Sequence, residues 1–195
     1  MSLPRSIRLA AALSVVALLG ACAHPLSLDS PTGPARNDAT LVAKKVGYVI
    51  TDADRAKQVT TPGGGGDKVS YFPYRDIEKS LREALRSVYQ DVTSLPVATP
   101  AASGPAGVAF VFTPVITTTS SSPSAFTWPP TKFSTEIACT VTDAQGAQIA
   151  QFKVTGNGAA EFEEFKSDHS LSARRSVKEV AENFAQAVRS DPKLK

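Results

Sequence analysis

Residues 133–142 alternate apolar and polar side chains without a break. Phe133, Thr135, Ile137, Cys139 and Val141 stand against Ser134, Glu136, Ala138, Thr140 and Thr142. Successive side chains of a strand point to opposite faces, so this stretch is predicted to be a strand with one buried face and one wet face. Asp143-Ala144-Gln145-Gly146 supplies turn residues, and Ile149 to Thr155 returns as a partner strand using Ala150, Phe152 and Val154. A sheet wetted on one side needs a cover on the other, and two amphipathic helices elsewhere in the chain are suited to provide it.

The first helix opens at Pro73, where a missing N–H costs nothing. It carries Ile77, Leu81, Ala84, Leu85, Val88 and Val92 at helical spacing. Arg75, Glu78, Lys79, Arg82, Glu83 and Arg86 form its solvated face, with Glu78–Arg82 and Lys79–Glu83 as i,i+4 pairs. The second runs from about Ser170 to Arg189, with Ala173, Val177, Val180, Ala181, Phe184 and Val188 on one stripe. Before the first helix, 42–51 reads as a strand through Val42, Val46, Tyr48 and Ile50, and 52–70 as a polar excursion. After it, 95–107 reads as a loop and Val108–Phe112, apolar on both faces, as an interior strand. Gly156-Asn157-Gly158 reads as a bulge or kink, with Ala159 to Phe162 continuing the sheet. Residues 163–169 are polar. A helix between the first two strands favours a right-handed parallel crossover, and the later strands an antiparallel meander. The predicted fold class is α+β: a two-layer sandwich, a mixed sheet of about four to five strands with two helices packed on one face. A chain of 195 residues holds one such domain, placed at 41–190 with a tail at 191–195.

The amino terminus has a different composition. Arg5 and Arg8 precede an apolar run from Leu9 to Leu19 broken only by Ser14, and the small residues Gly20 and Ala21 precede Cys22. This is the layout of a secretory signal, too short to span a bilayer, which takes roughly 20 residues. Residues 1–21 are therefore expected to be removed. Most of the formal net charge of +3 leaves with Arg5 and Arg8, so the mature chain has no basic footprint for nucleic acid. Residues 22–40, interrupted by Pro25, Pro31, Gly33 and Pro34, read as a flexible tether reaching about 20–25 Å as a coil. His24 is expected to be solvated within it.

Leu19-Gly20-Ala21-Cys22 resembles the lipobox of bacterial lipoproteins. The resemblance implies cleavage before Cys22, a diacylglyceryl thioether on its sulfur and an acyl chain, such as palmitate, on its new amino group. Position 23 is Ala rather than the Asp that commonly retains Gram-negative lipoproteins in the inner membrane, which resembles sorting to the outer membrane. The following layout is Lys45-Val46-Gly47-Tyr48-Val49-Ile50, a glycine-containing loop, a helix of the Ile77-x-x-x-Leu81-x-x-x-Leu85 kind, then a meander and a closing helix. It resembles the small lipoproteins of the YajG type and, more distantly, the auxiliary lipoproteins of ABC transport systems. The implied protein is a lipid-anchored outer-membrane module facing the periplasm, with the cell surface as the alternative. It acts through contacts with an envelope protein, carries no catalytic residues or cofactor, and binds no nucleic acid. A carrier or sensor of a small apolar ligand held between helices and sheet is the rival reading.

The chemistry-bearing residues are sparse. Gly63–Gly66 with Asp67-Lys68 lacks the Gly-Lys-Ser/Thr order and the strand–helix setting of a phosphate loop, and reads as a flexible connection. With two histidines and two cysteines in the whole chain, a zinc site is not expected. Cys139 falls on the buried face of its strand, which makes an inert thiol rather than a partner for His169. Asp168 and Ser170 read as helix N-cap residues, and Glu161, Glu163 and Glu164 as a solvated edge. The most unusual stretch is 92–131, which contains no charged side chain; within it a hydroxyl-rich run, Thr117–Ser124, precedes Phe126, Trp128, Pro129 and Pro130. Charge depletion around an aromatic anchor is the composition of an interface core, so Phe126, Trp128, Pro129 and Pro130 form the candidate partner-binding loop.

Overall fold

The computed structural model describes residues 23–30, 32–62, 68–96, 107–122 and 131–195. Its centre is a five-stranded mixed sheet built from β2 (Val42–Val49), β5 (Tyr89–Leu95), β6 (Val108–Ser121), β7 (Lys132–Asp143) and β8 (Gln148–Ala159), in the order β5-β2-β6-β7-β8. β2 pairs in parallel with both β5 and β6, and β6, β7 and β8 form the antiparallel meander. A smaller sheet, ordered β1-β4-β3, joins β1 (Ala23–Pro25), β3 (Val59–Pro62) and β4 (Lys68–Tyr71). Helices α1 (Asp52–Arg55), α2 (Pro73–Arg86), α3 (Phe162–Ser167) and α4 (Leu171–Ser190) complete the described fold. The two long helices, α2 and α4, cover one face of the large sheet, as the alternation in β7 requires.

The core lies in that layer. Phe133, Ile137, Cys139 and Val141 of β7 meet Ile77, Leu81 and Leu85 of α2 and Val177, Val180 and Phe184 of α4, all at most 2% exposed. Phe184 contacts Phe112 and Phe152 with ring centroids 6.3 Å and 5.1 Å apart, and Tyr89 contacts Phe112 at 5.9 Å. The aromatic side chains thus fill the space between the layers, each burying a large apolar area. The opposite sheet face carries Thr113, Thr117, Thr119, Ser134, Thr140 and Asn157, which register across β6, β7 and β8 as rows of hydroxyl and amide groups.

Several sequence expectations change. The first helix stops at Arg86, because Ser87 closes its last turn through bonds to Glu83 and Leu85. Val88 and Val92, which extended the helical spacing, precede and occupy β5, a parallel edge strand whose aromatic and β-branched residues suit a sheet. The crossover helix therefore joins β2 to β5, and β6 pairs on the other side of β2. The polar excursion at 52–70 holds α1, β3 and β4. The polar residues at 163–169 include most of α3. The hydroxyl run begins as sheet, since β6 continues through Thr117–Ser121. The i,i+4 pairs of α2 are replaced: Glu78 turns to Arg55 and Lys79 to Asp29 across the fold, while Arg82 pairs locally with Glu83.

Gly156 and Gly158 do not mark a bulge; both sit in unbroken register with Thr135 and Phe133. They are where α4 comes closest to the sheet. A Cβ on Gly158 would stand 1.9 Å from the Ser172 carbonyl oxygen, and one on Gly156 would stand 2.3 Å from Ser176 O and Val180 N. The Ser176 hydroxyl closes this contact, 2.7 Å from the Thr135 hydroxyl and 3.0 Å from the Gly156 carbonyl oxygen.

The segment expected to be a free tether is docked. β1 pairs in parallel with β4, Ala23 opposite Lys68 and His24 opposite Val69. Leu26 and Leu28 enter the core at 6% and 0% exposed, alternating with exposed Ser27 and Asp29. Further on, Arg36 donates to the Arg86 carbonyl at 2.8 Å. Proline interrupts helical periodicity but not an extended strap, and two leucines suffice to hold one down.

Candidate functional site

The sequence candidates fall into three groups. Cys22, Gly63–Gly66, Phe126, Trp128, Pro129 and Pro130 lie outside the described residues. Cys139 is buried at 0% exposed in the middle of β7, and burial pushes its thiol up to about 12. It is a free cysteine shielded from solvent, as the alternation implied. We expect no reaction with a thiol reagent in the native protein and stoichiometric reaction once urea unfolds it; rapid native labelling would contradict the burial.

His169 and the acidic residues around it are structural. The His169 ring packs 5.1 Å from buried Phe165. Asp168 accepts from the Ser170 backbone N–H at 3.1 Å and pairs with Arg174. Ser170 occupies the N-cap position of α4, but its hydroxyl accepts from the Ser27 N–H at 3.0 Å instead of capping the helix, which ties the docked strap to α4. Glu164 forms a two-pronged pair with Arg175, whose guanidinium holds the carboxyl near 2. Glu163 pairs with Lys166. Among the described residues no cluster of His, Cys, Asp or Glu is composed to hold a metal ion.

Arg175 also begins a ladder that sequence patterning does not reveal. It donates to the Ala159 carbonyl at 2.7 Å; one turn on, Glu179 accepts from the Asn157 N–H at 2.7 Å; one turn further, Asn183 donates to the Thr155 carbonyl at 2.8 Å. β8 is an edge strand, and an unpaired edge invites another chain. The i, i+4, i+8 spacing places three α4 side chains along that edge, where they satisfy its backbone groups over 155–159.

Glu78 on α2 is a half-buried carboxylate held by several partners. Arg55 donates to both its oxygens at 2.7 Å, and the Tyr48 hydroxyl donates to Oε1 at 2.9 Å. Arg55 is in turn fixed by Asp52 at 2.9 Å, inside a helix that Thr51 and Asp54 cap reciprocally. This network staples the loop after β2 to α2. The Arg55 bonds lower the Glu78 pKa from 4.5. A carboxylate depressed in the folded state contributes stability above its unfolded value and loses it as pH falls through its folded value. Glu78→Gln is therefore expected to cost about 1–3 kcal/mol at pH 7. In urea melts the gap between variant and parent should close as pH falls below 4.5. An equal gap at pH 3 and pH 7 would show that charge plays no part.

Two recesses accompany these groups. One of about 210 Å³ is lined by Tyr48, Arg75, Glu78, Lys79 and Arg82. Another, about 400 Å³ and open to solvent, lies at the ends of β6, β7 and β8 and is lined by Thr119, Ser121, Lys132, Ser134 and Asn157 among others. Its hydroxyl, amide and ammonium groups are equipped for hydrogen bonding to a polar surface.

The fold is a small α+β sandwich with a docked amino-terminal strap. No family model matches the sequence, and no curated protein matches it. The fold is similar to the crystal structure of protein XCC0632 from Xanthomonas campestris, described by the family model DUF330. The TM-score is 0.52 at 10% sequence identity, over 84% of this chain and 93% of that one. At that identity the likeness concerns the fold alone.

Proposed function

We propose that this chain is a bacterial outer-membrane lipoprotein, anchored through acylated Cys22, whose domain faces the periplasm and works as a non-catalytic accessory module through contact with an envelope protein. The observation that carries the reading is the sequence Leu19-Gly20-Ala21-Cys22 standing immediately before the first strand, Ala23–Pro25. No described helix is long and apolar enough to cross a membrane, and an acylated protein needs none. Kinship with the YajG-type and ABC-transport auxiliary lipoproteins is part of the same proposal.

The aromatic packing of Phe112, Phe152 and Phe184 between sheet and helices favours contact over carriage of an apolar ligand in that layer. Cys22→Ser should release the protein from the membrane fraction, and intact mass of the parent should show a diacylglyceryl group and an acyl chain on the new amino terminus. An unmodified thiol at Cys22 would overturn the reading. Crosslinking in cells identifies the partner, and Trp128→Ala is expected to remove the crosslink while leaving cooperative unfolding unchanged if the loop containing Phe126, Trp128, Pro129 and Pro130 makes the contact.

A further inference from the structure

A lipid anchor positions a domain only as tightly as the link between them allows. Eighteen free residues would have let this domain swing about 20–25 Å from the surface. The structure leaves no such link. Ala23, the residue after Cys22, is already paired with Lys68, and the Leu26 N–H donates to the Ser70 carbonyl at 3.0 Å. Ser27 is bonded to Ser170, and Leu28 is fully buried. One peptide unit, about 3.8 Å, separates the anchored Cα from the fold.

The end of the molecule that receives this strand can be traced through contacts. Ser170 is the N-cap of α4, and His169 before it packs on Phe165 of α3. The Phe165 ring in turn lies 6.0 Å from Phe162, which at 52% exposed is one of two large apolar side chains left in solvent among the described residues; Lys166 sits over its ring at 5.1 Å. The Ala160 N–H donates to the Thr131 carbonyl, and Ser121 pairs with Lys132. The open ends of β6, β7 and β8, helix α3 and the strap just after β1 therefore share one end of the domain. The hairpin turn around Gln145 lies at the far end of β7.

We infer that this end rests directly on the lipid bilayer, with Phe162 at the interface and Lys166 beside the headgroups. The inference rests on the lipoprotein reading and adds the orientation. The occupant of the exposed aromatic is set by where the chain leaves the fold: an acylated residue one step from Ala23 brings hydrocarbon to this surface, and an aromatic ring flanked by a lysine is suited to the interfacial layer. A protein partner approached from this end must then present its surface at the membrane. The charges of α3 and its neighbours are largely paired internally, Glu163 with Lys166 and Glu164 with Arg175, so the contact is expected to depend little on salt.

The experiment uses full-length lipidated protein in vesicles of phosphatidylethanolamine and phosphatidylglycerol. Phe162→Cys and Gln145→Cys variants are labelled with an environment-sensitive fluorophore. Cys139 is buried and Cys22 is acylated, so the introduced thiol alone reacts. The label at 162 should be quenched by lipid carrying a shallow spin label and shielded from aqueous iodide, and the label at 145 should show the reverse. A Gly/Ser spacer inserted between Cys22 and Ala23 should abolish the quenching at 162. Equal behaviour of the two positions, or quenching at 162 that survives the spacer, overturns the seat while intact mass still shows acylated Cys22. An unmodified Cys22 overturns the anchor itself, and the seat with it.

Discussion

Gly158→Val is expected to destabilise the domain by more than about 3 kcal/mol, beyond what an ordinary overpacked side chain costs. The physical reason is that the obstructing atoms are backbone. A Cβ at 158 meets the Ser172 carbonyl at 1.9 Å and the Ser176 nitrogen at 2.6 Å, and neither can rotate away as a side chain would. Helix α4 must lift off β8, and in lifting it gives up the Ser176 contacts to Thr135 and Gly156 and the three-rung ladder along the sheet edge. Asn157→Val is the matched control. Asn157 lies between the glycines on the exposed face, and valine suits a strand, so its change should stay within about 0.5 kcal/mol. Urea midpoints measure both: with a slope of roughly 1–3 kcal/mol per M, Gly158→Val should fall by about 1 M or more and Asn157→Val hardly at all. Equal midpoints would mean that α4 does not approach the sheet as described.

Leu28→Ala separates a docked strap from a free tether. A leucine in a flexible linker contributes nothing to folding, and its truncation would leave the urea midpoint unchanged. Leu28 is instead fully buried among the core side chains, where a Leu→Ala change typically costs about 2–5 kcal/mol. Ser27→Ala, one residue away and exposed, keeps the backbone N–H that Ser170 accepts and should be neutral. The same pair of variants bears on anchoring. Loosening the strap at Leu28 should let the domain drift from the membrane even with Cys22 acylated, so stability and position should change together.

The meander, the two covering helices and the burial of Cys139 were legible in the residues because each rests on a local period. Alternation sets which face of β7 is dry, and the Ile77–Leu81–Leu85 and Val177–Ala181–Phe184–Val188 stripes set which side of each helix is covered. A period of two or of 3.6 survives whatever the rest of the chain does. By contrast, Val88 and Val92 fit a helix as well as they fit a strand, and only the available edge of β2 decided for β5. Gly156 and Gly158 look alike as a kink or as a close approach, because a glycine names the absence of a side chain and not the neighbour that requires it. The Arg175–Glu179–Asn183 ladder was hidden for the same reason: its partners are backbone groups on an element met only after folding.

The sequence alone therefore determined the class of sandwich, the dry face of its sheet and the proposed point of attachment, all of which follow from local order along the chain. What lies against what was decided by tertiary structure. The proline-rich segment after Cys22 became a strap because Leu26 and Leu28 found an opening in the core, a long-range contact that no local pattern encodes. Glu78 chose Arg55 over Arg82 because the loop after β2 folds onto α2 and brings a planar guanidinium to both carboxylate oxygens. Long-range placement of this kind depends on the shape left by all the other elements, and that shape exists only once the layers have closed.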